Sequence, residues 1–335
     1  AGISFQTDPL KFHRGFVQSY NLTVQKNLDH WLLQAGYVGT LSLHQHTRYD
    51  INYGQVGGGV PSQPLYQLDG LTNAVYEILP YENSRYDSLQ IQAQRRFANG
   101  FQVNAGYTFS KWLGTCCDTN GDDEPAIPIP QHSKLNYALE PGDLPNVFHV
   151  TGIAQLPFGR GKHFAHNGLQ AALLGGWQIS GVLSIFSGSP FSVTADGTSL
   201  NAPGSTQRAD QVLSNVGYTG NINEWFNPLA FASVTTARFG TAGFDTLRGP
   251  GTVNLDASLF RTIKLQEHWS LQFRAECFNL ANTPHFSNPG ANVSSMQVNS
   301  NGTLSLNGFT QITDVNPEGR LVDERYFRLG LKIIF

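Results

Sequence analysis

The feature that most constrains this chain is a period-two alternation of apolar and polar residues, sustained over segments about twice as long as ordinary strands. Side chains on a strand point alternately to its two faces, so such a segment has one greasy and one wet side. Tyr20, Leu22 and Val24 open the series. Leu33, Ala35, Tyr37, Gly39, Leu41 and Leu43 then oppose Gln34, Gly36, Val38, Thr40, Ser42 and His44. Leu89, Ile91 and Ala93 oppose Gln90, Gln92 and Gln94. After Asn99-Gly100, a strong two-residue hairpin signal, Phe101, Val103, Ala105, Tyr107 and Phe109 oppose Gln102, Asn104, Gly106 and Thr108. Further segments centre on Val150–Leu156, Trp177–Ile185, Leu255–Leu259, Trp269–Cys277 and Phe327–Phe335.

These nine strands are long enough to cross a bilayer at a tilt, which takes roughly 9–11 residues. A soluble sandwich also alternates, but its strands are shorter, and its open face carries Lys and Glu. Here the polar face is amide and hydroxyl. Only 13% of residues are charged, against about 25% in ordinary soluble domains. With Lys+Arg 21 and Asp+Glu 24, the chain is neither a basic nucleic-acid binder nor a highly charged disordered polymer. No apolar run is long enough for a transmembrane helix. The expected fold is all-β: an antiparallel transmembrane β-barrel segment of about nine long strands, with short periplasmic turns and long extracellular loops.

Connection lengths support that reading. Short links are expected at 26–31, 98–100 and 265–268, with a medium one at 158–175. Long ones are expected at 47–84, 114–145, 187–252 and 281–324. Barrels of the outer membrane keep short turns in the periplasm, so the first strand runs downward and the ninth ends there. Trp31, Phe101, Trp177 and Trp269 each open a strand after a short or medium link, and Phe335 closes the last at the same level. Together they form an expected periplasmic aromatic girdle. Arg95 and Arg261 fall on the apolar parity, both near a periplasmic turn, where a charge can snorkel to water. Nine is odd, and lipid tolerates no open sheet edge. Residues 1–335 are therefore expected to be the C-terminal portion of a larger barrel. The opening AGISFQTDPLKFHRG has neither a basic region nor an apolar run of a leader.

The stretches NSRYDSLQIQAQRRFANGFQVNAGYTFSKWLG, FHVTGIAQLPFGRGKHF, GGWQISGVLSIFSGSPFSV, FRAECFNLANTPHFSNPG and ERYFRLGLKIIF resemble, in order, the barrel of Oar-like TonB-dependent transporters, large outer-membrane receptors. The resemblance spans residue 80 to Phe335. It implies an N-terminal regulatory-like domain and a plug upstream, a barrel of roughly 22 strands with a blocked lumen, and energy relayed by the TonB complex. Substrates would be large: peptide, protein or carbohydrate. A passive outer-membrane pore or surface adhesin on the same wall is the second reading, and a soluble β-rich binder the third.

Site candidates follow. Phe327, Leu329, Leu331, Ile333 and Phe335 resemble the C-terminal signal read by the barrel-assembly machinery, since an exposed edge strand can be paired by another sheet. Asp118, Asn120 and Asp122 begin like a calcium loop, but the following glycine and the late bidentate Glu are missing; with Asp123 and Glu124 they read first as a solvated acidic loop. Cys116 and Cys117 are either a vicinal disulfide or two thiols. Arg274 and Glu276 are expected on one lumenal face, and Arg328 and Lys332 on another. Loops such as the one holding Trp225 and Phe226 are candidate cargo contacts. His44 and His46 lack a third ligand. No GxSxG, HExxH or P-loop pattern occurs, so no enzyme is expected. No cofactor beyond calcium is indicated, and the expected partners are outer-membrane lipid, the assembly machinery and TonB.

Overall fold

The computed structural model describes residues 5–11, 13–115, 124–165, 167–316 and 323–335. Nine long strands form one antiparallel meander: β1 (Phe16–Leu28), β2 (Trp31–Asp50), β3 (Val75–Ala98), β4 (Phe101–Gly114), β5 (Asn146–Gln155), β6 (Trp177–Phe186), β7 (Thr252–Lys264), β8 (Ser270–Phe278) and β9 (Tyr326–Ile334). Each strand pairs with its sequence neighbours, and β1 and β9 stand at the two edges. Phe5–Thr7 adds a short parallel pairing to Val75–Glu77. Two short helices lie in the links, α1 (Pro64–Asp69) and α2 (Gly168–Leu174).

The links alternate as expected. The short side has turns at 29–30, 99–100 and 265–269 and the longer link 156–176; the other side carries 51–74, 115–145, 187–251 and 279–325. Asn99 and Gly100 both adopt positive φ, 51° and 85°, the backbone a tight twisted hairpin requires. Directly opposed residues share a face, so the register decides whether the greasy stripes merge. They do. One row runs Val24, Ala35, Ile91, Tyr107, Phe148, Ile185, Val253. Another runs Phe101, Ala154, Ile179, Leu259, Ala275, Leu329. Among the described residues nothing shields this face: Leu22 is 71% exposed and Leu329 71%. Burying one such side chain is worth about 1.5–3 kcal/mol, so a face with this many uncovered needs hydrocarbon against it.

Two expectations are corrected. The link expected at 47–84 shrinks to 51–74, because β2 and β3 continue far past the apolar stripe. Pairing persists through Gln45–Glu82 and Arg48–Ile78 with two register shifts. Beyond the bilayer a strand needs partners but no greasy face, so its pattern fades while its hydrogen bonds do not. The upper limit of the stripe is marked by Arg85, Asp87 and Lys111 on the outward parity. Arg85 Nε donates to Asp87 at 2.6 Å and the Tyr37 hydroxyl donates to it at 2.5 Å. From Arg95 to Asp87 a tilted strand rises about 20 Å, close to the ~25 Å height of an apolar barrel band. The second correction concerns the C-terminal charges. Arg328 lies directly opposite Glu276 on the same face as Arg274, not on a separate one.

The two arginines on the apolar parity have local partners. Arg95 is buried; its Nη1 donates to the carbonyls of Ala98 at 2.7 Å and Phe101 at 2.6 Å, and its guanidinium lies 3.5 Å over the Phe101 ring. It staples the 99–100 turn. Charged hydrogen bonds of this kind are worth about 1.5–3 kcal/mol. We expect Arg95→Met to lower unfolding stability by about 2 kcal/mol, read as an earlier urea midpoint of tryptophan fluorescence in vesicles. Arg95→Lys should recover little, because one ammonium cannot replace the planar fork stacked on the ring. An unchanged midpoint would show that the turn stands without the staple.

Candidate functional site

Two regions outside the greasy face carry chemistry: the polar face of the sheet and the folded assembly of long links. The polar face is a lattice of amides and hydroxyls. Gln25, Gln34, Gln92, Gly106, His149, Ser184 and Asn254 form one continuous row. Gln92 donates to Asn104 at 3.1 Å, Gln272 to Thr262 at 3.1 Å, and His149 sits 3.1 Å from the Ser184 hydroxyl. Near the C-terminal edge, Glu276 accepts from Arg328 Nε at 2.6 Å and from Arg274 at 3.4 Å. The two guanidinium groups also lie over Phe278 and Phe260. A groove of about 380 Å³ on this face is lined by Thr151, Ser180, Asp256, Ser258 and Glu276 among others. Such a surface favours water and polar solutes.

The described residues of the long links fold together. The hydrophobic core of the molecule lies among them, not in the sheet. Phe191, Val193, Phe226, Phe231, Leu247, Val293 and Phe309 form one cluster across links 187–251 and 279–325. Ile127, Ile129, Leu200, Phe239 and Phe244 form a second across 115–145 and 187–251, with Tyr53 and Val56 of 51–74 packed against it. Backbone bonds stitch the same segments: Gly57 to Leu200 at 2.8 Å, Thr206 to Ala126 at 2.8 Å, Thr194 to Ala291 at 3.0 Å and Trp225 to Thr310 at 2.8 Å. The four links make one cap with link 187–251 at its centre. Within the loop expected to offer cargo contacts, Phe226 is given to this core. Phe226 is 0% exposed, edge-on to Phe231 and Phe309, and the Trp225 indole donates to the Arg248 carbonyl at 2.9 Å. Sequence alone could not separate a binding aromatic from a core one, because the partners are remote in sequence.

The remaining candidates are placed as follows. Trp31 and Phe101 open β2 and β4, and Trp177 opens β6, edge-on to Phe273 at 6.0 Å. Trp269 lies just before β8, with its ring 5.7 Å from that of Phe335, just after β9. Phe327, Leu329, Leu331 and Ile333 share the outward face of edge strand β9, Phe335 follows in the same alternation just past its end, and all five are exposed. Asp118, Asn120, Asp122, Cys116 and Cys117 lie outside the described residues; Glu124, the last of that acidic run, pairs with Arg48 at 3.4 Å. His44 and His46 turn to different neighbours, the Phe16 ring and the His13 carbonyl. Among the described residues no three His, Cys, Asp or Glu side chains converge as a metal site.

Where the cap meets the sheet it holds buried carboxylates that the sequence did not flag. Asp143 is buried, paired with Arg248, and accepts the Trp112 N–H at 2.5 Å. Glu140 is buried with its carboxyl packed in the space that a side chain at Gly114 would take, and its Oε1 has no hydrogen-bond partner among the described residues. Burial, then the charges of Glu82 and Asp245, push its carboxyl up from 4.5 to about 7. A carboxyl raised in the folded state binds more protons folded than unfolded. Its stabilising contribution is therefore complete below pH 4.5 and is lost as pH rises towards 7. We expect amide exchange at this junction, normalised for intrinsic rate, to speed up across that window, and Glu140→Gln to flatten the change. A pH-independent profile in the parent protein would refute the assignment.

A sheet built on nine long strands, with an uncovered apolar face, a polar opposite face, tight turns at one end and a folded cap at the other, is a wall of a transmembrane β-barrel. The chain belongs to the outer membrane beta barrel domain family, whose model matches residues 1–323, and its place is the outer membrane of a Gram-negative cell. Among solved structures, the outer membrane transporter YddB of Escherichia coli superposes with a TM-score of 0.52 at 8% identity, covering 99% of this chain and 34% of YddB. The ferric preacinetobactin receptor BauA of Acinetobacter baumannii gives 0.45 at 10% identity, covering 95% and 29%. The chain thus spans about a third of the length of the structures it matches. No curated protein sequence matches it.

Proposed function

We propose that residues 1–335 supply the last nine strands of a TonB-dependent, Oar-like transporter, which moves a large substrate across the outer membrane. The observation that carries this is the open meander: β1 and β9 each leave one edge unpaired among the described residues, and hydrocarbon does not accept such edges. Further strands must complete the wall, and the shared fold with YddB, of which the chain covers a third, supplies a precedent. In this reading the plug and the TonB-contacting segment are carried outside residues 1–335. The girdle Trp31, Phe101, Trp177, Trp269 and Phe335 sits at the periplasmic lipid interface. The outward row of β9 is read by the barrel-assembly machinery, and calcium at Asp118, Asn120 and Asp122 would be a surface accessory. The polar face lines the lumen. The cap contributes the extracellular mouth, with peptide, protein or carbohydrate as the cargo class.

The rival is a passive pore or adhesin on the same wall. Liposome swelling with the intact gene product separates them. A plugged transporter admits small sugars no faster than protein-free vesicles, and its uptake in cells stops when the proton gradient is collapsed. Free swelling with sugars would overturn active transport in favour of the pore. A soluble product whose gel mobility does not change on boiling would overturn both.

A further inference from the structure

The link 156–176 is unlike its neighbours on the short side, which are tight turns. It folds back on itself. The Phe164 N–H donates to the Pro157 carbonyl and the Gly159 N–H to the Phe164 carbonyl, both at 3.0 Å, the Phe158 and Phe164 rings lie 5.9 Å apart, and Gly159 packs so closely on Gly175 that a side chain there would meet its Cα at 2.6 Å. Out of this fold comes α2. It buries Ala171 against its own link and turns Leu169, Leu173 and Leu174 outward, 74%, 60% and 49% exposed. Seven residues do not hold a helix in water unaided, and leucines so exposed need an apolar neighbour.

Its tethers say which neighbour. Arg261 donates to the carbonyls of Leu173 at 2.8 Å and Ala172 at 2.6 Å, and the Trp177 indole donates to Leu173 at 3.0 Å. Arg261 and Trp177 are directly opposed on the greasy face, next to Phe273. The C-terminal end of α2 is therefore pinned to the rim of the lipid-facing surface, and its leucines continue that surface. The charge pattern adds a headgroup preference. From Leu144 to Ala195 the chain has no Asp or Glu, while Arg160 and Lys162 are exposed in the same link. Interfacial helices combine buried apolar residues with cations that meet anionic lipid.

We propose that α2 is an interfacial helix docked on the periplasmic leaflet of the outer membrane, with Leu169, Leu173 and Leu174 among the acyl chains and Arg160 and Lys162 at the phosphates of anionic phospholipid. The proposal rests on the membrane-inserted barrel and not on the transport reading. Spin labels on Leu169→Cys and Leu173→Cys test it, in the intact gene product with Cys116, Cys117 and Cys277 replaced by Ala. The vesicles are phosphatidylethanolamine with or without phosphatidylglycerol. Leu331→Cys serves as the lipid reference and Thr198→Cys, in the cap, as the water reference. The expected ratio of oxygen to nickel-chelate collisions at 169 and 173 matches that at 331 and exceeds that at 198 several-fold. It rises when phosphatidylglycerol is present, and the rise is lost in Arg160→Gln/Lys162→Gln. A water-like ratio at 169 and 173 beside a lipid-like 331 overturns the docking while leaving the barrel intact. A ratio indifferent to phosphatidylglycerol overturns the headgroup choice. A water-like ratio at 331 as well removes the membrane placement, and the proposal with it.

Discussion

Everything in this molecule follows from one requirement: inside hydrocarbon no backbone N–H or C=O can be left for water to satisfy. A meander meets it strand by strand, because each inner strand, β2 to β8, is bonded on both sides by its sequence neighbours and the connections stay at the rims. The alternating pattern is the side-chain consequence. With the backbone paired internally, only one row of side chains per strand needs to suit lipid, and the other is free to carry Gln, Asn, Ser and His. The same requirement explains why the sheet has no core of its own. Its two faces are matched to two solvents, and neither needs a second layer.

The hydrophobic core moves to the end of the barrel instead. The four long links are in water, where exposed aromatics are costly and unpaired backbone is tolerable. They collapse on each other, with Phe226 at the centre of an aromatic cluster and link 187–251 touching all the others. The cap is thus a small soluble-style domain carried by a membrane wall. Its seam with the wall is polar. Asp143–Arg248 fixes it, and Glu140 sits buried beside it with its carboxyl pushed up by that burial. A cap held by tertiary packing across its links moves or holds as a unit where independent loops could not.

What was legible in the sequence sorts by the same physics. Nine strands, their direction and the Asn99-Gly100 turn were readable because the bilayer imposes period-two patterning over its whole thickness. The extensions of β2 and β3 were not, since above Arg85 and Asp87 no solvent enforces alternation and only hydrogen bonding keeps the strands together. The core position of Phe226 is not legible in sequence, because a cap core is built from contacts of long sequence separation, which composition does not encode. The acidic candidates Asp118, Asn120 and Asp122 lie outside the described residues. The carboxylates that mattered at the seam, Glu140 and Asp143, belong to no local motif, and become notable only when Glu82, Asp245 and Arg248 are brought to them.

Arg95 and Arg261 looked like defects on the greasy parity, yet each does what a neutral residue there could not. The short side is where the chain turns, and turns and helix ends leave carbonyls with no strand to accept from. In the headgroup zone water reaches these groups only partly. A guanidinium on the lipid-facing row is held close to them, long enough to reach, and flat enough to serve two carbonyls at once. Arg95 serves Ala98 and Phe101; Arg261 serves Ala172 and Leu173. In both, an aromatic of the rim completes the site: the ring of Phe101 under one and the indole of Trp177 beside the other. The charges that break the pattern are thus the means by which the wall ends its strands cleanly at the edge of the bilayer.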